Sequence, residues 1–274
     1  MRDLEGPIVQ INPTFAFISG ATQSDITQFK SAVNTVIAYF DSVFTNVNVT
    51  LNVDFAYGEK YLSDNGSTIT YQPMANASPT GSVGLGSSNY LLPTESYSTL
   101  LSQLKTKTDT NQPSAYATLP TSSPFGNDAL LLTLAQEKAL GITPGFSVAG
   151  FDGVVGIISN EELQAGGFSA DWTKAAPSSS NQYYMIGVIE HELTEVMGRV
   201  SYDGTNVNNA LSYTLMDLFR YSAPGVHQTT NGDPAYFSIN NGNNVYYYWN
   251  NPAFGQGRPG RLGPKRAERL RANG

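Results

Sequence analysis

The clearest pattern along the chain is an alternation of apolar and polar residues between positions 47 and 55. The apolar positions are Val47, Val49, Leu51, Val53 and Phe55, with asparagine, threonine or aspartate between them. A period of two residues predicts a strand with one buried face and one face in water. An apolar stretch from Ile8 to Phe17 predicts a further strand before it.

Apolar residues at three- and four-residue spacing predict two helices. The first helix opens at Ser24-Asp25, and its apolar stripe consists of Ile26, Phe29, Val33, Val36, Phe40 and Val43. The second helix runs from Tyr183 to about Arg199. Its inward face consists of Ile186, Ile189, Leu193, Val196, Met197 and Val200. Apolar stripes of this kind pack against the core of a domain.

Shorter patterns predict the remaining elements. They are a short helix from Thr94, a strand that passes into a helix over 129–141, and strands at 151–158, 235–239 and 244–250. The polar segments 57–93 and 105–127 exceed ordinary connection lengths, so we expect them to be functional or to contain short strands.

The composition excludes several kinds of chemistry. The chain has 274 residues, no cysteine and two histidines. A disulfide framework, a cysteine-ligated metal and a cysteine nucleophile are therefore excluded. No apolar run is long enough to span a bilayer. Any histidine chemistry must use His191 or His227.

Charge is distributed unevenly along the chain. Six of the 15 basic residues lie in the last 17 positions, which leaves 9 basic and 21 acidic residues in 1–257, a net charge of −12. Such a body would repel nucleic acid and anionic membranes, so we expect neither as a partner. We interpret residues 1–256 as one domain and residues 257–274 as a basic, disordered tail.

The second predicted helix carries the residues with the most chemistry. His191 and Glu195 are four positions apart, so their side chains can converge, and Glu192 lies beside them. A histidine and a carboxylate one turn apart, with a second carboxylate adjacent, form a metal site with a base that can activate water. Two simpler interpretations stay open: an ion pair of Glu195 with Arg199, and a histidine that makes only a structural hydrogen bond.

The segment IEHELTEVMGRVS resembles the active-site helix of the zincin metalloproteases, whose signature is His-Glu-x-x-His. Gly198 matches the glycine of the longer metzincin pattern, and Met216 lies where that branch has its methionine turn. The downstream segments DLFRYSAPG (217–225) and YFSI (236–239) extend the resemblance to a group of secreted bacterial metalloproteases. It implies an α+β, zincin-like fold in which a twisted mixed sheet packs against two long helices, including the active-site helix.

The ligand set departs from that pattern. Glu195 replaces the second histidine and Ser201 the third, so another residue must complete the site. The candidates are Asp217, Asp203 and His227, with Tyr221 as a weaker oxygen donor. Asp217 is preferred because the segment 214–222 passes below the site if the methionine-turn analogy holds, and Asp203 comes next. His227 lies in a Pro-Gly loop and is expected to be exposed.

The resemblance implies metal-dependent hydrolysis of a peptide or a small carbonyl substrate by a monomer. Glu192 would accept a proton from a metal-bound water, and Tyr221 or Arg220 would stabilise the oxyanion. The substrate would pair with an edge strand, which we expect at Gly153–Ile158. Zinc is the first choice of metal. Calcium is the alternative, either in this site or on the turn that begins at Asp203.

Two further functions stay open from the sequence. One is a metal-dependent lactonase or esterase on the same scaffold, and the other is a non-catalytic binding protein that keeps the fold. The resemblance implies a secreted or periplasmic protein, although the first residues, MRDLEGPIVQ, contain no apolar export signal.

Overall fold

A computed structural model describes residues 9–44, 48–64, 68–75, 83–88, 92–107, 114–126, 129–142, 150–173, 181–202, 204–207 and 210–249. The first elements are β1 (Val9–Phe17), α1 (Gln23–Val43), β2 (Val49–Tyr57), β3 (Glu59–Asp64), β4 (Ile69–Pro73), β5 (Gly84–Ser88), β6 (Leu92–Ser96), α2 (Tyr97–Thr106), α3 (Ser114–Ala117), β7 (Ala129–Leu132) and α4 (Leu134–Leu140). They are followed by β8 (Gly153–Ile157), α5 (Asn160–Ala165), β9 (Ser169–Asp171), β10 (Gln182–Tyr184), α6 (Met185–Val196), β11 (Thr205–Val207) and β12 (Ala210–Ser212). A 3-10 helix (Leu215–Phe219) then leads into β13 (Arg220–Ala223), β14 (Val226–His227), β15 (Ala235–Phe237) and β16 (Tyr247–Trp249).

These elements form two compact units, and each unit uses two stretches of the chain. The first unit takes its described residues from 1–89 and 146–197, and the second from 90–145 and 198–261. The mixture of helices and sheets confirms the predicted α+β class. The assignment of 1–256 to one catalytic domain stays a prediction, and the tail 257–274 lies outside the described residues.

The first unit is built on a four-stranded sheet with the order β1-β2-β8-β5. Strands β1, β2 and β8 are parallel, whereas β5 runs antiparallel to β8. Both α1 and α6 pack against this sheet and against each other. The hairpin of β3 and β4 also contacts it, through β8. The sheet is therefore mixed, and β5 is its edge strand among those described.

The helix α1 forms where the spacing predicts it. Thr22 caps its first turn by accepting a hydrogen bond from the N–H of Asp25, whose carboxylate accepts in return from the N–H of Thr22. The expected stripe is buried from Phe29 to Phe40, but Val43, in the last turn, is half exposed. The prediction for Val43 was therefore wrong, because this side chain lies in the last turn of the helix and half of it faces solvent.

The predicted alternation of buried and exposed residues holds only for the first half of β2. From Val53 to Tyr57 every side chain is buried, including Asp54. Asp54 accepts hydrogen bonds from the hydroxyl groups of Thr14 on β1 and Tyr71 on β4. The hairpin therefore covers the face of β2 that the alternation assigns to water.

The strand predicted at 151–158 is confirmed as β8, but its expected role as an edge strand was wrong. It pairs with β2 on one side and with β5 on the other, so its backbone groups are taken up within the sheet. The edge strand β5 lies inside the segment 57–93, which the sequence pattern leaves without defined elements.

The second unit contains three small antiparallel sheets. They are the pairs β6–β7 and β11–β12 and the four-stranded sheet with the order β14-β13-β15-β16. Its core gathers buried side chains from α2, β7 and the 3-10 helix, among them Tyr97, Leu104, Leu130 and Leu218. The predicted passage from strand to helix over 129–141 is confirmed, and α4 ends at Gly141 with a left-handed backbone.

None of the described helices combines the length and the apolar character that crossing a membrane requires.

Candidate metal centre

The helix α6 orients its side chains by burying one apolar stripe. Ile186, Ile189, Leu193 and Val196 are all buried, as predicted. The helix is shorter than the sequence suggests, because β10 takes up residues 182–184 and the last helical residue is Val196. Gly198 follows with a φ of +107°, a conformation that favours glycine and turns the chain away from the helix axis.

His191, Glu192 and Glu195 come together on this helix. Each contributes one possible ligand atom, and these atoms all lie within 4.8 Å of one another. His191 Nε2 and Glu195 Oε1 are 3.1 Å apart, and their side chains are 13% and 18% exposed. No other group of three histidine or acidic residues converges in this way in the described part of the chain.

Glu192 is the most buried member of the cluster, with 8% of its surface exposed. Its Oε2 accepts a hydrogen bond of 2.6 Å from the main-chain N–H of Gly86 on β5. A short bond from a fixed backbone donor to a carboxylate defines where that carboxylate lies. The side chain is therefore oriented by the edge strand of the sheet.

The donor set can be compared with the requirements of a divalent cation. Two atoms bound to one zinc at about 2.0–2.2 Å in tetrahedral geometry are separated by about 3.3–3.6 Å. The 3.1 Å between His191 and Glu195 is close to that separation. One imidazole nitrogen and two carboxylates could bind zinc, and the two carboxylates also suit a harder cation such as calcium.

Asp217, the preferred third ligand, belongs to the second unit and is completely buried. It caps the 3-10 helix and accepts hydrogen bonds from the Ser201 hydroxyl, from the N–H of Tyr202 at 3.2 Å, and from the N–H and hydroxyl of Thr214 at 2.7 and 3.1 Å. Burial raises the pKa of Asp217, and these hydrogen bonds act against that rise. Its role as a ligand stays a prediction.

His227 is only partly exposed, so the expectation of an exposed loop histidine was wrong. It lies on β14 opposite Tyr221, and the two rings are in contact, with centroids 4.4 Å apart and planes tilted by 33°. Burial lowers the pKa of His227, whose Nδ1 is buried without a hydrogen-bond partner among the described residues. Metal binding by His227 stays a prediction.

The remaining candidates lie in the second unit or outside the described residues. Tyr221 is buried to 1% exposure, and burial raises its pKa to about 12. Arg220 donates from Nη1 to the carbonyl of Gln228 at 3.3 Å, and burial lowers its pKa to about 10. Their oxyanion role stays a prediction. Asp203 lies outside the described residues, and so do positions 208 and 209 of the turn that it begins.

Sequence reasoning missed the contribution of β5 to the site. The segment GSVGLGSS contains few apolar side chains, so it has no strand periodicity to detect. The sequence did contain one signal of a close contact, the two-residue spacing of Gly84 and Gly86. This spacing places both glycines on one face of a strand, where another element can approach closely.

Comparison of this chain with protein-family models, with curated proteins and with solved structures found no match.

Proposed function

We propose that this protein is a metal-dependent hydrolase with zincin-like architecture, and that it cleaves peptide bonds. His191 and Glu195 would hold a divalent cation, and Glu192 would act as the general base. The observation that carries the proposal is the convergence of these three side chains on one helix, beside the antiparallel edge strand β5.

A bound zinc ion would lower the pKa of a coordinated water towards about 7. Glu192 then supplies the base. Its carboxylate lies within reach of the position shared by the His191 and Glu195 ligand atoms, and the Gly86 N–H holds it there. A base that is oriented before the substrate arrives needs little rearrangement during the proton transfer.

The position of β5 indicates where an extended substrate would bind. A peptide can add to a sheet only at a free edge, and β5 is the edge strand beside α6 among the described strands. The N–H of Gly86 already binds Glu192, so the peptide would run along the rest of the β5 edge and place its carbonyl group next to that carboxylate. This site replaces the one expected at Gly153–Ile158.

Glu192→Gln tests the mechanism. The variant keeps the shape of the side chain but cannot accept the proton, so hydrolysis of casein should fall by at least about 100-fold. Metal content and the far-UV circular dichroism should stay unchanged. Glu190→Gln removes the same charge from the same helix outside the cluster and serves as the control. Wild-type activity in Glu192→Gln would overturn the mechanism.

The donor set also favours a second function. Two of the three converging residues are carboxylates, which bind calcium well, and a calcium site of this kind suits the opening of a lactone or an ester. Metal analysis of the purified protein, with assays on casein and on an acyl lactone, separates the functions. Zinc with casein hydrolysis supports the peptidase, whereas calcium with lactone hydrolysis supports the second function. A protein without stoichiometric metal would be a binding protein.

A further inference from the structure

Two glycines of β5 lie so close to α6 at Glu192 that no other residue type would fit at their positions. A Cβ atom on Gly84 would lie 2.8 Å from both Cγ and Oε1 of Glu192, and 2.8 Å from Cγ1 of Val188. A Cβ atom on Gly86 would lie 2.5 Å from the main-chain oxygen of Glu192 and 3.2 Å from Cβ of Glu195. Only residues without a side chain permit this contact between strand and helix.

The register of β5 explains why the Gly86 N–H is available to Glu192. In an antiparallel pair, alternate residues direct their N–H and C=O groups away from the neighbouring strand. Val83 accepts a hydrogen bond of 3.1 Å from Ile158, and Gly86 lies opposite Val155. Val83 is thus bonded to the chain at the end of β8, and the positions after it alternate. The N–H and C=O groups of Gly84 and Gly86 therefore point away from β8. On that side the N–H of Gly86 donates to Glu192 Oε2.

We propose that Gly84 and Gly86 are positioning residues for the general base. The N–H of Gly86 binds the Glu192 carboxylate, and the missing side chain of Gly84 leaves the space that the Glu192 side chain occupies. This inference rests on the proposed function for its catalytic meaning. Its structural content, a carboxylate fixed by the edge strand, is independent of that function and can be tested separately.

Gly84→Ala is the direct test. The atoms that a Cβ would meet belong to the side chains of Glu192 and Val188 and not to the main chain, so the fold is expected to survive. Displacing the carboxylate by about 1 Å should lower kcat by about 10- to 100-fold, with KM changed less than about twofold. Bound metal per chain should stay the same.

Gly156→Ala is the matched control on the neighbouring strand β8. Its Cβ would lie 2.6 Å from the main-chain oxygen of Glu59 and 3.0 Å from Cα of Lys60, so it disturbs the sheet through β3 and not through Glu192. We expect a loss of stability in this variant with kcat close to that of the wild type. An equal loss of kcat in both variants would assign the effect to the sheet and overturn the positioning role.

Glu192→Asp provides a second variant that leaves β5 intact. It withdraws the carboxylate from Gly86 by one methylene group and should reduce kcat to a similar extent. The shorter side chain also relieves the contact with Cβ in Gly84→Ala. The double variant should therefore be no slower than Glu192→Asp alone, whereas independent effects would multiply.

Amide hydrogen exchange tests the contact without any substrate or metal. An outward-directed amide of an edge strand exchanges quickly, but a Gly86 amide bound to Glu192 should exchange at least about 10-fold more slowly than in Glu192→Ala. The inward-directed amides of Leu85 and Ser87 should not change between the two proteins. Equal exchange of Gly86 in both would overturn the proposal.

These results separate the two proposals. If the wild type hydrolyses nothing and Glu192 still protects the Gly86 amide, the proposed function fails and the positioning of the carboxylate is supported. If the wild type is active and Gly84→Ala has wild-type kcat, the proposed function survives and the positioning role fails.

Discussion

Asp54 lies in the interior of the first unit and accepts hydrogen bonds from Thr14 and Tyr71. A buried carboxylate is tolerated only when donors replace the water it has lost. The main-chain N–H of Gly86 is such a donor to Glu192. Asp217 has the Ser201 and Thr214 groups.

Tyr71→Phe should destabilise the protein by about 1.5–3 kcal/mol, because it removes a hydroxyl that donates to the buried Asp54 carboxylate. Tyr39 is about half exposed, and Tyr39→Phe should change stability by less than about 0.5 kcal/mol. Urea unfolding at pH 7 measures both. Equal stability of the two variants would show that the Tyr71 hydroxyl does not stabilise the folded state.

His227 should make the protein less stable in mild acid. Its pKa is lowered by burial, so between about pH 6.5 and its folded pKa the unfolded chain binds a proton that the folded protein does not. Stability therefore falls as the pH is lowered through this window, with a slope of at most about 1.4 kcal/mol per pH unit.

His227→Phe keeps the ring contact with Tyr221 and should flatten this part of the stability profile. Urea unfolding between about pH 5 and 7.5 measures the slope. Tyr39→Phe alters a half-exposed ring and no histidine, so it should leave the slope in place. A wild-type slope in His227→Phe would mean that other groups cause the acid sensitivity.

At the scale of elements, the turn after α6 depends on Gly198. Its φ is +107°, and a Cβ there would overlap the side-chain amide of Gln136, which also belongs to the capping box of α4. The turn at Gly198 and the start of α4, both in the second unit, therefore share one constraint.

Gly198→Ala should cost about 2–4 kcal/mol of stability, because backbone strain and overlap act together. Gly167 has a φ of +83° with nothing within 4 Å of a Cβ, so Gly167→Ala carries the strain alone and should cost about 1–2 kcal/mol. Chemical denaturation of the two variants gives the difference. If both variants lose the same stability, the overlap with Gln136 does not contribute to the loss in Gly198→Ala.

The elements that could be predicted from the sequence are those whose burial is local in origin. The helix α1 and the passage from β7 to α4 follow from spacing and caps within a few residues. The burial of Asp54 could not be predicted, because the hairpin that covers it comes from another part of the chain.

The same distinction applies to the candidate site. His191, Glu192 and Glu195 share one helix, so their convergence follows from helical periodicity. The donor Gly86 is 106 residues away along the chain. The edge position of β5, and hence the inner position of β8, depends on strand order, which no local pattern encodes.

At the scale of the whole molecule, a metal that binds only the folded protein should raise its melting temperature. At a free zinc concentration of about 100 times the Kd, the stabilisation is about 2.7 kcal/mol, or roughly 5–10 °C for a chain of this size. Differential scanning calorimetry with and without zinc, and separately with calcium, measures the shift.

His191→Ala should lose this shift and Glu190→Gln should retain it, because only the first belongs to the converging cluster. The same increase in His191→Ala as in the wild type would place the metal elsewhere on the protein. A shift with calcium alone would favour the lactonase or esterase function over the peptidase.

The pairing of β5 with β8, which are far apart along the chain, has a consequence during synthesis of the protein. The ribosome releases β5 first and then makes the segment that enters the second unit, so β8 follows about 65 residues, or roughly 3–13 s, later. During that interval β5 has no partner from its own sheet. Its sequence, GLGSS, offers a single large apolar side chain, which makes it a poor nucleus for aggregation while it waits. The glycines that bring β5 close to Glu192 in the folded protein therefore also lower the aggregation propensity of this segment before β8 is made.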